Sequence, residues 1–268
     1  MSVESVSSFH YRSPSQYTPA PPNPLAQRLN MFVTLGAEER EAVAAMCITR
    51  RRVRANETLV REGSRPDRIC LILSGVAFRY RHLANGRRQI FGYLLPGDLC
   101  DTQFVILNEC DHNIGLLSDS EIAVISLSTM MSTMVNHPRI ERALLMMSLV
   151  DAAMMREWLL NVGQRDACQK LAHFFCELSA RYHALGLHDE DQGFTIPLTQ
   201  NELADTMGLT VVHVNRILQR FRREGLLNWS RRHFDILNPS QLAQLAGFDA
   251  NYLRLREERA EPKLCAYG

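Results

Sequence analysis

Arginine side chains are concentrated in one short stretch of the carboxyl-terminal third of the chain. Between Thr210 and Arg232 the sequence carries six arginines and one glutamate, whereas the whole chain of 268 residues has a formal net charge of +1. A guanidinium group binds phosphate oxygens through parallel hydrogen bonds, so a local concentration of arginines indicates a surface for a polyanion. Because the rest of the chain is nearly neutral, this stretch is the first candidate for a nucleic-acid-binding site.

The residues that lead into this stretch predict two short helices joined by a tight turn. Thr199 is a suitable N-cap, and Glu202 three residues later completes a capping box. Gly208 follows at the end of the first helix, where a positive φ angle is easily adopted only by glycine. Thr210 can cap the second helix, and the small Ala204 lets two steeply crossed helices approach each other. The spacing indicates a helix-turn-helix; the alternative is an ordinary helical hairpin with a solvated basic face.

The second helix is predicted to have one apolar face and one polar face. Its apolar residues recur at intervals of three and four, which predicts contact with a core: Val214, Ile217, Leu218 and Phe221. The opposite face would present to solvent Val211, Val212, His213, Asn215, Arg216, Gln219, Arg220 and Arg223. After Gly225, the apolar-alternating runs 226–230 and 233–237 surround Arg231 and Arg232. These runs predict a β-hairpin with a basic tip, as in the wing of a winged helix.

The composition predicts a globular protein of two domains. With 46% hydrophobic and 22% charged residues, the chain can form a sizeable core. No run of about eighteen apolar residues occurs, so neither a membrane-spanning helix nor a membrane partner is expected. The seven cysteines are an odd number without a CxxC pair, which argues against a disulfide framework and fits a reducing cytoplasm. Residues 1–23 are rich in serine and proline and lack the apolar core of a secretion signal, which predicts a disordered arm.

The first half of the chain changes from helical to strand periodicity. Helical spacing extends from Pro24 to Cys47, and alternation with a period of two begins at Ile48. Further short runs suit strands at 58–60, 69–73, 76–81, 89–94, 114–117 and 122–126. Turn residues separate these runs, and Asn85-Gly86 is a strong hairpin signal. Many short strands with such turns predict an antiparallel sandwich or barrel.

These elements, in this order, resemble the Crp/Fnr family of bacterial transcription regulators. The resemblance rests on the helix-turn-helix and on the motifs Leu71-Ile72-Leu73-Ser74-Gly75, Asn85-Gly86-Arg87, Pro96-Gly97-Asp98 and Asn136-His137-Pro138. It implies an α+β fold with an N-terminal antiparallel β-roll of the cupin-like jelly-roll type, a long dimerisation helix and a C-terminal winged helix-turn-helix. The expected boundaries are an arm at 1–23, a β-roll sensor domain at 24–135, the dimerisation helix at 136–163, the DNA-binding domain at 164–248 and a tail at 249–268.

The resemblance implies a homodimeric regulator, not an enzyme, that binds a pseudo-palindromic site on double-stranded DNA through a recognition helix at 211–224. RNA polymerase is a further partner that it implies. Arg216 matches the base-reading arginine of the family and would contact O6 and N7 of a guanine. Val212 stands where the family usually has a glutamate, so we expect an altered half-site beside that guanine. The residues expected to contact DNA are Thr199, Gln200, Thr210, Val211, Val212, His213, Asn215, Arg216, Arg220, Arg223 and Arg231.

The predicted helix after Pro138 is apolar around most of its circumference. Its apolar residues include Ile140, Leu144, Leu145, Met147, Leu149, Val150, Met154, Met155, Trp158, Leu159 and Leu160. One side can pack on the β-roll, and the remaining apolar side needs a partner. A two-fold contact with a second copy satisfies that need.

Cyclic AMP is not expected to be the effector. No arginine lies between Arg88 and Arg139, so the predicted roll has no cation there for a cyclic phosphate. Carboxylates would instead repel a phosphate, namely those of Asp98, Asp101, Glu109 and Asp111. The oxygen-sensing branch of the family holds an iron–sulfur cluster with N-terminal cysteines, but here only Cys47 precedes residue 70. The effector therefore stays unknown, and His82 and His112 are unremarkable candidates for a haem ligand.

One group of residues could form an effector pocket with metal or redox chemistry. The group consists of Cys100, Asp101, Cys110, Asp111 and His112. Thiolates and imidazole suit zinc or copper, but buried thiols beside a polar loop explain the same residues more simply. Cys168 and Cys176 are likewise expected in a helix core rather than in a redox switch. A cupin-like enzyme is the alternative class, and it lacks support because no His-x-His pair occurs.

Overall fold

The N-terminal half consists of two helices followed by a roll of short strands. The computed structural model describes residues 23–100, 106–107, 109–187, 193–230 and 232–255. The helices are α1 (Pro24–Asn30) and α2 (Ala37–Met46). The strands are β1 (Arg50–Val53), β2 (Thr58–Val60), β3 (Arg68–Ser74), β4 (Ala77–His82), β5 (Arg88–Leu94), β6 (Leu99–Cys100), β7 (Asn113–Leu116) and β8 (Ser120–Ser126).

The roll is built from two antiparallel four-stranded sheets. Their strand orders are β1-β8-β3-β6 and β2-β7-β4-β5. Apolar residues from both sheets form the inner core of the roll: Val53, Val60, Ile72, Ala77, Leu94, Cys100, Cys110, Ile114, Leu116 and Ile122. The alternation of inward and outward side chains that the sequence shows is thus the pleat of these strands. The predicted antiparallel roll is confirmed.

Two helices connect the roll to the C-terminal half. They are α3 (Leu127–Asn136) and α4 (Pro138–Gly163), the second of which occupies the region predicted for the long helix. Pro138 lies at the first position of α4, where its missing N–H costs no helical hydrogen bond. One side of α4 packs with α1, α2 and the outer face of β3 and β8 in a second core cluster.

The C-terminal half contains the predicted winged helix-turn-helix. Its elements are α5 (Ala167–Ala184), β9 (Phe194–Thr195), α6 (Gln200–Met207), α7 (Val211–Arg223), β10 (Leu227–Ser230), β11 (His233–Ile236), α8 (Pro239–Ala246) and a 3-10 helix (Ala250–Leu253). The core of this half extends into the roll, because Phe78, Ile90 and Tyr93 belong to the same cluster of buried residues. The two halves therefore share one continuous apolar contact.

The structure corrects several sequence expectations. Helix α3 and the two-residue strands β6 and β9 were not predicted. The segment after residue 248, expected to be a tail, begins with an ordered 3-10 helix in which Leu253 is buried. This helix is held because Tyr252 donates a hydrogen bond to Glu177, with 2.7 Å between the oxygens. Residues 1–22, most of the predicted arm, lie outside the described residues, as do 256–268.

Asp98 is a buried anchor between the roll, α1 and α5. Its carboxylate accepts hydrogen bonds from Arg28 at 3.1 Å and from Arg181 at 2.9 Å, and it also accepts from the backbone of Leu95 at 2.9 Å. Burial alone would raise the pKa of this carboxyl, but the two guanidinium groups bring the pKa below its ordinary value. Gly97 makes this turn possible, because a Cβ at its φ of +93° would lie 2.6 Å from the carbonyl oxygen of Pro24.

A second buried polar cluster lies where α4 meets α5. The carboxylate of Glu177 accepts a hydrogen bond from the Trp158 indole at 3.1 Å and lies 3.9 Å from Arg181. Burial raises the pKa of Glu177 despite this neighbouring arginine. The clusters of Asp98 and Glu177 share Arg181, so a connected set of charges joins the roll, the long helix and the DNA-binding half. Among the described residues, every helix is too short or too polar to traverse a bilayer.

Candidate nucleic-acid interface

Local capping interactions position the two helices of the helix-turn-helix as the sequence predicted. The backbone N–H of Thr199 donates to Glu202 at 2.8 Å, and the side chain of Thr199 accepts from the backbone N–H of Glu202 in return. Gly208 has φ +66° and ends α6 in the left-handed conformation. Thr210 caps α7 by accepting from the backbone N–H of His213 at 3.2 Å. These contacts are all local in sequence, which is why the capping prediction is confirmed.

The two faces of α7 separate as predicted. Val214, Ile217, Leu218 and Phe221 are buried. Arg216, Gln219 and Arg223 are exposed on the opposite face. Val212 is 70% exposed, so its methyl groups are open to a partner. The outer face of α7 therefore presents cationic, amide and apolar groups together to a single binding partner.

The predicted contact residues Gln200, Asn215 and Arg220 already interact within the chain through their side chains. Asn215 donates to the side chain of Gln200 at 3.2 Å, which links the outer faces of α6 and α7. Arg220 pairs with Glu224 at 2.7 Å and approaches the sulfur of Cys168 at 3.4 Å. Its hydrogen bond with Glu224 raises the pKa of Arg220. Arg220 is therefore oriented along the end of α7.

The wing is an antiparallel hairpin with an additional strand. Strands β10 and β11 pair from Leu227↔Ile236 to Ser230↔His233, which confirms the predicted hairpin. The short β9 adds to β11, with Phe194 opposite Phe234. Arg232 lies at the hairpin tip with φ +73°, a conformation that turn residues adopt. Arg231 lies outside the described residues.

The structure describes four of the five residues proposed for an effector pocket, two in the core of the roll and two in the bend ahead of β7. Cys100 and Cys110 are buried in the inner core of the roll. The side chain of His112 is buried and lies edge-on to the ring of Phe91. Its Nδ1 atom is 2.7 Å from a carboxylate oxygen of Asp111, which is exposed. Asp101 lies outside the described residues. Among the described residues, no group of three histidine, cysteine or carboxylate side chains could hold a metal ion.

The structure corrects the argument that Asp98 repels a phosphate in the roll. The sequence suggested a free carboxylate, but the Asp98 charge is neutralised by Arg28 and Arg181. The partners lie 70 and 83 residues away in the sequence, so no local pattern identifies them. Cys168 packs at the edge of the core and is partly exposed beside Arg220, and Cys176 is buried as expected.

Sequence reasoning missed the residues that join the roll to the DNA-binding half. Arg88 pairs with Asp205 of α6 at 2.8 Å, and no sequence signal identifies this pair. For Glu177 and Arg181 a signal exists, because both charges fall among the apolar positions of α5 at a spacing of four. A charged pair on the buried face of a helix indicates a partner elsewhere in the fold.

An antiparallel roll that is joined by a long helix to a winged helix-turn-helix defines the class of two-domain transcription regulators. Residues 50–137 match the cyclic nucleotide-binding domain, and residues 169–245 match the Crp-like helix-turn-helix domain. The transcriptional activator protein FnrL of Cereibacter sphaeroides is 27% identical over 204 residues, which cover 75% of this chain and 82% of that protein.

Two further comparisons agree with this class. The fumarate and nitrate reduction regulatory protein of Escherichia coli is 24% identical over 218 residues, which cover 81% of this chain and 86% of that protein. The solved structure of FixK2 from Bradyrhizobium japonicum has a TM-score of 0.66 at 22% identity, covers 74% of this chain and 96% of that one, and shows the same fold. The two domain matches together span more than half of the chain and place it in the Crp/Fnr family, and the relatives named here are transcription regulators.

Proposed function

We propose that this protein regulates transcription by placing α7 in the major groove of double-stranded DNA. The observation that carries the proposal is the exposed outer face of α7, where Arg216 projects from a helix whose other face is anchored in the core. A major groove admits one α-helix, and an arginine can bind O6 and N7 of a guanine in two places. Val212 would contact a thymine methyl group, and the amide of Asn215 could add a hydrogen bond.

The remaining predicted contacts would position the helix on the DNA backbone. Thr199 and Gln200 lie at the start of α6, and Thr210 lies at the start of α7, where helix N-termini favour phosphates. Arg220, Arg223 and Arg231 would contact phosphates. Their contribution would appear mainly in how strongly DNA affinity depends on salt concentration. The expected half-site contains the guanine that Arg216 reads and is altered beside it, because valine cannot accept a hydrogen bond from a cytosine.

A homodimer is the form that we propose binds DNA. The side of α4 opposite the roll exposes apolar residues at steps of three and four: Leu145, Leu149, Ala152, Met155, Leu159 and Val162. Leu149 is 59% exposed and Leu159 is 74% exposed. This spacing is the seam of a two-helix contact, and a second copy of the chain provides the same seam. Two copies would present two α7 helices to a pseudo-palindromic site, with RNA polymerase as the partner for transcription control.

The described residues do not fit the phosphate of a cyclic nucleotide. The arginines that face the roll are already paired with carboxylates. The buried Arg28 and Arg181 pair with Asp98, and the half-buried Arg79 pairs with Asp151 at 3.3 Å. A phosphate would have to compete with these carboxylates for the same guanidinium groups. We therefore propose a regulator that does not depend on cyclic AMP.

Replacing Arg216 with alanine is expected to weaken binding to the selected DNA site by about 1–3 kcal/mol and to relax the preference for guanine at one position of each half-site. The reason is the loss of two hydrogen bonds to one base, while the phosphate contacts persist. The measurement is a titration of labelled duplex with the full-length protein, after selection of the site from random sequences.

The matched control is Arg54→Ala, which removes an equal charge from an exposed position between β1 and β2. This control should bind as the unsubstituted protein does. If the Arg216→Ala protein and the unsubstituted protein prefer the same bases, Arg216 does not read a base. Failure of the unsubstituted protein to bind any duplex at low ionic strength would overturn the proposed function.

A further inference from the structure

Strand β5 of the roll contacts helix α6 of the helix-turn-helix through a charged side chain. The Nε atom of Arg88 donates to Oδ2 of Asp205 at 2.8 Å. A second nitrogen of the same guanidinium lies 3.8 Å from Oε1 of Glu202. One arginine of the roll thus faces two carboxylates on α6, and all three side chains are partly shielded from solvent.

Two neutral hydrogen bonds extend this contact along β5. The side-chain amide of Gln89 donates to the backbone carbonyl of Thr206 at 3.0 Å. The hydroxyl of Tyr93 lies 2.6 Å from the hydroxyl of Thr206, and both residues are buried. Burial makes these bonds costly to break without replacement. The contact therefore fixes α6 against the roll rather than merely touching it.

The aromatic residues of β4 orient Arg88 toward α6. The guanidinium carbon lies 5.2 Å from the centre of the Phe78 ring and 5.9 Å from the centre of the Tyr80 ring. A guanidinium stacked on aromatic rings loses less freedom when it binds a carboxylate, because its orientation is already set. Its neighbour Arg87 is exposed at the hairpin turn. Arg87 is therefore a suitable control for Arg88, because it carries the same charge in an exposed position.

The two carboxylates lie on the helix that would meet the DNA backbone. Glu202 accepts a hydrogen bond from the backbone N–H of the N-cap Thr199. Thr199 and Gln200 begin α6 at the end proposed to approach phosphates. Uncompensated negative charges on this helix would lie within a Debye length of the DNA backbone and would oppose binding. Arg88 offsets these charges without occupying the outer face of α7.

We propose that Arg88 is a positioning residue for DNA reading, and that β5 of the roll holds the helix-turn-helix directly within the same chain. The roll then influences the position of α7 in two ways, through the contact of β5 with α6 and through α4. This inference rests on the proposed DNA-binding function. In this proposal Arg88, Gln89 and Tyr93 act by holding α6, and none of them contacts DNA.

The test is a double-mutant cycle in the full-length protein with Arg88→Ala, Asp205→Ala and both changes together. Binding to the selected duplex is titrated at several salt concentrations. We expect Arg88→Ala to weaken binding by roughly tenfold, and Asp205→Ala in that background to restore part of the loss. We expect the salt slope to stay unchanged, whereas loss of a direct phosphate contact would lower it by about one. Arg87→Ala, the matched control, should bind normally.

A second measurement separates this inference from the proposed function. Hydrogen exchange of the α6 amides in the DNA-free protein should become faster in Arg88→Ala and stay unchanged in Arg87→Ala. Additive effects in the cycle, a lowered salt slope or normal binding by Arg88→Ala would each overturn the inference. If the unsubstituted protein binds no duplex, the proposed function fails, and unchanged α6 exchange in Arg88→Ala would then also overturn the β5–α6 coupling.

Discussion

Replacing Asp98 with alanine is expected to lower the free energy of unfolding by about 3–5 kcal/mol, because it leaves two buried guanidinium groups without their carboxylate. The side chains of Arg28 and Arg181 are 5% and 3% exposed, so water cannot replace the lost partner. The measurement is urea unfolding at a fixed protomer concentration, with the same denaturant slope expected for both proteins.

The control for this prediction is Asp67→Ala, which removes a carboxylate from an exposed ion pair. Asp67 contacts Arg68 at 2.7 Å, which is shorter than the contacts of Asp98 at 2.9 and 3.1 Å, but both side chains are in solvent. We expect no measurable change in stability, since water screens such a pair. If the two substitutions cost the same, burial is not the source of the Asp98 effect.

The same anchor predicts a direction for the effect of pH. The pKa of Asp98 is lower in the folded protein than its ordinary value, so its contribution is fully present above an unfolded-state pKa of about 4. The contribution is lost as the pH falls through the lowered folded-state pKa. The stability difference between the unsubstituted protein and Asp98→Ala should therefore shrink as the pH is lowered from 7 toward 3. A difference that grows with acid would contradict the assignment of the ionised carboxylate.

Replacing Leu149 with glutamate is expected to convert the proposed dimer into monomers and to weaken binding to a two-half-site duplex by about a hundredfold or more. The substitution places a charge in the centre of the apolar seam of α4, and the seams of two copies would bring two such charges together. A monomer loses the gain from binding two linked half-sites. Sedimentation equilibrium reports the oligomeric state, and duplex titration reports the affinity.

Ile48→Glu is the matched control for the seam, because Ile48 is an exposed apolar residue that precedes β1 and is not part of α4. This protein should stay dimeric and bind DNA normally. Binding to a duplex with one half-site should be almost equal for Leu149→Glu and the unsubstituted protein. A Leu149→Glu protein that sediments as a dimer would show that the seam of α4 is not the interface.

Capping and periodicity made α6, α7 and the wing predictable from sequence. Each of these signals acts over a few residues: Thr199 with Glu202, Gly208 at a left-handed turn, and apolar residues at steps of three and four. Strands of the roll were found for the same reason, since their alternation and their glycine turns are local. The two-residue strands β6 and β9 were missed, because a strand of that length has no periodicity and is defined by its partners alone.

Contacts between distant segments were not predictable, and they changed the meaning of single residues. Asp98 was interpreted as a carboxylate that repels a ligand, whereas Arg28 and Arg181 make it an anchor. Arg88 carried no signal, since its partner Asp205 lies 117 residues away. Tyr252, placed in a tail, completes the hydrogen bonds of a buried glutamate.

The amino-acid sequence by itself determined the order of the main elements, the buried faces of α6 and α7 and the location of the positive charge, because these follow from interactions within one or two turns of the chain. Only the tertiary structure decided which charges are paired, which apolar residues of α4 are left uncovered and how the roll meets α6. Those outcomes depend on which side chains meet across long sequence separations, and sequence spacing does not reveal such contacts. Burial then makes the polar contacts among them stronger than they would be in water.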